Sequence, residues 1–161
     1  MSTRATLRLT LDCDNACGFC GQGSRHGPLP FSDDALVALR EHGDEISFVG
    51  GEPSLDPRLP TAIARARELG FVAVGLQSNG RRLAADDALF SALVAAGLSD
   101  LHLSIHGPTA EVHDYHSGRP GSFAAAMDLL ERCARAGLPV VVTTVITRSN
   151  FRELGKLAPL L

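Results

Sequence analysis

Apolar and polar residues alternate with period two where the chain begins. Ala5, Leu7, Leu9 and Leu11 fall on one side and Thr6, Arg8 and Thr10 on the other, which predicts a strand over residues 5–11. A glycine-rich loop bearing three cysteines follows, over residues 12–30. Ser32 then reads as the N-cap of a helix over residues 33–42. A second strand, 45–49, runs directly into Gly50-Gly51-Glu52-Pro53. Asp56-Pro57 opens a second helix with proline in its first turn, continuing to residue 69. The cycle repeats with strands over 71–77, 101–105 and 140–146. Helices are predicted over 84–96 and 123–136, with a last one from 150 to 160. Gly70, Gly97 and Gly137 each close a helix just before an apolar strand.

Strands alternating with helices imply right-handed crossovers and a parallel sheet, so the fold class is α/β. Five βα units fill residues 1–161 as one domain, with no linker and no inserted domain. A closed eight-unit barrel typically needs about 250 residues, which leaves a partial barrel or a doubly wound sheet. In both, the loops after the strands carry the site. Cysteines follow the first strand, Gly50–Pro53 the second and Ser78-Asn79-Gly80 the third, and His106-Gly107 the fourth. Parity adds detail. Gln77 and Asn79 share one side of the third strand. On the fourth, Leu101, Leu103 and Ile105 should meet the outer helices, which turns His102, Ser104 and His106 toward the interior.

Composition removes whole classes of function. The chain is 45% hydrophobic and 20% charged, close to ordinary globular values. Its formal charge is −3, with no lysine-rich run, so nothing recruits nucleic acid. No apolar stretch is long enough to span a bilayer, and the first residues lack the apolar block of a signal peptide. A cytoplasmic location is the expectation.

The cysteines carry the chemistry. Cys13-x-x-x-Cys17-x-x-Cys20 is a poor disulfide framework in a chain without an export signal, and a good set of thiolates for a metal centre. Three thiolates can hold three corners of an iron–sulfur cube, leaving one iron open to an outside ligand. A structural zinc with His26 as fourth ligand is the competing reading. Cys133, in the middle of a predicted amphipathic helix, reads as a core residue.

On these residues the chain resembles the radical S-adenosylmethionine (radical SAM) enzymes. The resemblance rests on the Cys-x3-Cys-x2-Cys loop with Phe19 before its last cysteine and on Gly50-Gly51-Glu52-Pro53. It extends to Gln77-Ser78-Asn79-Gly80 and Leu103-Ser104-Ile105-His106-Gly107, and so covers nearly the whole chain. It implies a 4Fe–4S cluster on Cys13, Cys17 and Cys20, with S-adenosylmethionine chelating the open iron. It implies that Gly50, Gly51 and Glu52 meet the methionine amine, where a glutamate would complement an ammonium, and that Pro53 fixes the following turn. Gln77, Asn79 and Ser104 would reach the ribose or the methionine carboxylate, and Phe19 would pack near the adenine. His106 stands where many relatives have an aspartate, and a histidine there would charge near neutral pH. Relatives often place an arginine soon after this strand. Here the stretch is His113-Asp114-Tyr115-His116-Ser117-Gly118 with Arg119 beyond it, which leaves the carboxylate partner open. His113 and His116 read equally well as solvated loop residues.

The implied activity is reductive cleavage of S-adenosylmethionine to a 5′-deoxyadenosyl radical that takes hydrogen from a small-molecule or peptide substrate. The electron would come from a donor of flavodoxin or ferredoxin type. The family core usually has six βα units, so the chain reads as truncated after the fifth. A homo- or hetero-oligomer would cover the open edge. A cluster-binding module without independent turnover and a zinc-binding interaction domain are the alternatives.

Overall fold

A computed structural model describes residues 4–160; residues 1–3 and 161 lie outside it. The strands are β1 (Arg4–Thr10), β2 (Glu45–Gly50), β3 (Ala73–Ser78), β4 (Asp100–Ser104) and β5 (Val140–Thr143). The helices are α1 (Asp33–His42), α2 (Leu59–Glu68), α3 (Arg81–Ala85), α4 (Asp87–Ala95), α5 (Ala110–Ser117) and α6 (Ser122–Ala136). All neighbouring strands are parallel, and their spatial order is β1-β2-β3-β4-β5. A doubly wound sheet reverses its order at a switch point. This one never does, so the architecture is that of a partial barrel.

Parity decides which face is covered. Ile46, Phe48, Val74, Leu76, Leu101, Leu103 and Ile105 are fully buried in one cluster with Leu36, Ile63, Leu83, Leu93, Leu129 and Cys133 from the helices. Each large side chain contributes about 1.5–3 kcal/mol by leaving water. The other face of the sheet is polar. Cys133 is a core residue, as its helical position suggests.

Several expected elements differ. The helix over 84–96 is two helices, because Asp86 breaks it and caps α4 by accepting from Leu89 N at 2.9 Å. Residues 53–55 form a 3-10 turn, and α2 begins only at Leu59. The fifth strand stops at Thr143, short of the expected residue 146. The last helix is two 3-10 turns, Leu154–Lys156 and Ala158–Leu160, in a stretch that holds Gly155 and Pro159. Residues 110–117, read as loop, form α5. Thr109 caps it by accepting from Val112 N at 3.4 Å, and Gly118 ends it.

Candidate functional site

The cysteine loop is closed at its base like a strand pair. Leu11 N donates to the Gly27 carbonyl and Leu29 N to that of Leu9, both at 2.8 Å. Asp12 holds the neck by accepting from Gly27 N at 2.9 Å. Within the loop Cys20 N donates to the Cys17 carbonyl at 3.1 Å. The far side is pinned to the end of α5: Ala16 N donates to the Ser117 carbonyl at 2.8 Å, and Arg119 Nε to that of Asp14 at 3.0 Å. Arg119 is thus a brace for the loop, exposed at the rim.

Cys13 and Cys17 are half-buried and Cys20 is exposed; none is in a disulfide. Burial, then the neighbouring Cys13 and Cys20, push the Cys17 thiol up to about 11. Burial also raises Cys13, against which Asn79 Nδ2 donates to its sulfur at 3.8 Å. Asn79 Nδ2 reaches Asp14 as well, at 2.7 Å, and Asp14 pairs with Arg81 at 3.3 Å.

The loop faces a cavity of about 180 Å³. The three cysteines, Asn15 and Phe19 form one wall and Gly50 with Gly51 another. Gln77, Ser78 and Asn79 close it from β3, and Ser104 and His106 from β4. The structure therefore brings together most of the residues singled out in the sequence. Asn15, Thr143 and Val145 line it too and were not singled out, and Ser78, named only as part of its motif, joins them. For Thr143 and Val145 parity gave no choice, because both sides of the stretch 140–146 hold valine and threonine. The sequence also gave no hint that Asp14 ties Asn79 to Arg81.

Glu52 and Pro53 do not line the cavity. The Glu52 side chain is fully buried beneath it. It accepts from Ser54 N at 3.0 Å, Ser54 Oγ at 2.6 Å, Ser78 Oγ at 2.9 Å and Asn79 N at 2.7 Å. Burial pushes its carboxyl up from the usual range while these donors pull it down. The glutamate braces two loops, tying the turn after β2 to the end of β3. The main chain before it is similarly committed, since Gly51 N donates to the Thr10 carbonyl at 2.8 Å and Glu52 N to that of Asp12 at 2.7 Å. A Cβ on Gly51 would collide with the Asp12 carbonyl, so glycine is required there for the crossing of backbones.

His106 borders the cavity, as the resemblance implies, but as a buried ring. It is 5% exposed, and burial, then His113 and His116, lower its pKa to about 4. Its Nδ1 accepts from Val145 N at 3.3 Å, so the neutral ring carries its proton on Nε2. Phe19 sits edge-on to it at 4.9 Å. His113 and His116 are buried helix residues, not solvated ones. His113 Nδ1 accepts from His106 N at 3.0 Å and its pKa too is lowered, mainly by burial, to about 4. His116 bonds the Val112 carbonyl through Nδ1 and the Thr147 and Ser149 hydroxyls through Nε2.

Burial opposes ionisation of Cys13 and Cys17, and at Cys17 the two neighbouring cysteines add to it, a penalty that a cationic centre would relieve. Among the described residues, no three His, Cys, Asp or Glu side chains converge on one point as they would around a single ion. Cys13, Cys17 and Cys20 nevertheless border one cavity, as three thiolates holding separate irons of a cluster would. Among the same residues no helix is long and apolar enough to cross a membrane.

Comparison with known proteins gives the family and the fold. The chain is 31% identical over 159 residues to the "AdoMet-dependent heme synthase" of Oleidesulfovibrio alaskensis, an alignment covering 92% of this chain and 40% of that protein. It is 30% identical to the sporulation killing factor maturation protein SkfB of Bacillus subtilis, covering 93% and 37%. The chain thus spans about two fifths of the length of these curated relatives. Among solved structures, Streptococcus suis SuiB bound to precursor peptide SuiA superposes with a TM-score of 0.78 at 15% identity, covering 98% of this chain and 36% of that one. BtrN in complex with AdoMet and 2-DOIA gives 0.64 at 17%, covering 89% and 57%. The sequence model of the Radical SAM superfamily matches residues 7–160, and the chain belongs to that superfamily.

Proposed function

We propose that this chain binds a 4Fe–4S cluster through Cys13, Cys17 and Cys20 and holds S-adenosylmethionine in the adjoining cavity for radical chemistry on a substrate. One observation carries the reading: the cysteine loop, Gly50–Gly51 and the ends of β3 and β4 border a single cavity. When bound, cluster and cofactor together would supply a 5′-deoxyadenosyl radical able to take hydrogen from carbon.

The chain's own residues position and shield. The Gly50 and Gly51 carbonyls would accept from the methionine amine, which can only donate to the main chain through its acceptors. Glu52 keeps those carbonyls in place from behind. Gln77 and Ser104 offer polar contacts to the ribose and carboxylate. Asn79, donating to the Cys13 sulfur, would steady a cluster ligand as well as border the cofactor. His106 would present a neutral Nε2–H, and Phe19 would pack against the adenosine. The substrate is a small molecule or a peptide, as in the SuiB complex, and the electron donor is of flavodoxin or ferredoxin type. β5 stands at one end of the strand order, so one of its sides is unpaired among the described residues. A second copy or another chain would cover that side.

Anaerobic reconstitution tests the reading. Iron and sulfide should load in equal amounts, and adding S-adenosylmethionine should perturb the cluster's electron paramagnetic resonance. Dithionite should release methionine and 5′-deoxyadenosine. Binding without release would make the chain a module lacking independent turnover. Cys17→Ala should abolish iron retention; full loading in that variant would overturn the ligand assignment.

A further inference from the structure

The polar face of the sheet carries two arginines on one strand, and the fold treats them differently. Arg4 and Arg8 are four residues apart in β1 and project to the same side. Arg4 is fully engaged. Nη1 and Nη2 donate to the two oxygens of Asp100 at 2.6 and 3.0 Å, and Nε donates to Glu45 at 2.9 Å. Arg8 is exposed and has no hydrogen-bond or ion-pair partner among the described residues.

Its surroundings suit an anion. Arg8 pairs in register with Val49, immediately before Gly50. It opens on a cavity of about 280 Å³ whose wall is shared with Cys13, Cys20, Gly50 and Gly51. Arg25 and Gln22 complete the lining, and no aspartate or glutamate contributes to it. Arg25 spends only Nε, on the Gln22 carbonyl at 3.2 Å, and has no carboxylate partner among the described residues. Two guanidinium forks thus face an acid-free concavity, while Asp100 and Glu45 keep the negative charge lower in the interior. An anion would gain charge-assisted hydrogen bonds beside Arg8 and meet repulsion further down.

We infer that this cavity is an anion subsite of the substrate pocket, holding a carboxylate or phosphate group of the molecule acted upon. The word substrate rests on the function proposed above; the anion site does not. The methionine carboxylate of the cofactor has the same chemistry, and the test separates the two sources.

The reconstituted, oxidised chain is titrated with inorganic phosphate while the arginine Nε–H signals are followed by nuclear magnetic resonance. The Arg8 signal should shift saturably. Arg8→Gln should weaken phosphate binding at least about tenfold. Arg8→Lys, which keeps the charge, should lose less, and Arg135→Gln on the outer face of α6 should lose nothing. Iron content and circular dichroism confirm that each variant is folded. Absence of a saturable shift in the unaltered chain, or undiminished binding in folded Arg8→Gln, would overturn the site. The titration is then repeated with saturating S-adenosylmethionine. Unchanged phosphate affinity supports a substrate subsite; displacement of phosphate would assign Arg8 to the cofactor carboxylate and overturn the proposal. Failure of the loaded protein to bind S-adenosylmethionine at all would sink the functional reading while the phosphate titration still judged the anion site.

Discussion

A carboxylate that accepts from two backbone amides and two hydroxyls, fully out of water, tolerates no donor in its place. Glu52→Gln turns one acceptor oxygen into an NH2 group facing a donor. The variant should lose roughly 1–3 kcal/mol of stability, read from urea denaturation of the cluster-free chain. His106 allows a sharper test, because its two nitrogens have different jobs. Gln places an amide near Nε2 and Asn near Nδ1. His106→Gln should therefore keep more of the affinity for S-adenosylmethionine than His106→Asn, measured by equilibrium binding to the reconstituted protein; the reverse order would contradict a neutral Nε2 donor. At this scale the sequence was a good guide to where residues gather and a poor one to what each atom does. The identity of Glu52 gave its place beside the glycines. Its orientation depends on Ser54, Ser78 and Asn79, which only the folded loops bring together.

Among the elements, α5 is the one that periodicity did not reveal. Its apolar residues are few, and its buried side chains include His113, His116 and Ser117, which count as polar in any pattern. The signals that were present are terminal ones, Thr109 as cap and Gly118 as stop. The strands, by contrast, were legible because each buries an unbroken apolar side against the helices. Packing two neutral histidines between α5 and β4 has a cost in acid. His106 and His113 have folded pKa values near 4 against 6.5 when unfolded. The unfolded chain then binds more protons over that range, so their contribution is complete above pH 6.5 and is lost as the pH falls toward 4. Urea midpoints of the cluster-free chain should drop between pH 7 and pH 5, and His113→Gln should reduce the drop. The network across β1, β2 and β4 makes a second prediction. Asp100→Ala strands the Arg4 guanidinium and should cost about 1–3 kcal/mol. Adding Arg4→Met should recover part of that, a coupling that a double-mutant cycle measures.

For the molecule as a whole, the spacing of five βα units and the length of the chain already pointed to an incomplete barrel or an open sheet, and strand order decided between them. What composition could not convey is which apolar residues stay exposed. In the segment after β5, the apolar residues Ile146 and Phe151 are exposed. Exposed apolar residues of that kind favour association. Sedimentation of the anaerobically loaded protein should show a concentration-dependent dimer, and Ile146→Lys with Phe151→Lys should return it to the monomer.

The clamp between the cysteine loop and α5 reaches beyond architecture. A Cβ on Gly118 would press against the Ala16 carbonyl at 2.5 Å, so the two backbones touch where any larger residue would separate them. The Ala16 amide, held by Ser117 across that contact, should trade its proton for deuterium far more slowly than Gly21 or Gly23 in the same loop. Half of a glycine-rich segment would then be as quiet as a helix before any metal arrives, and assembly of the cluster would need to order only the stretch around Cys20.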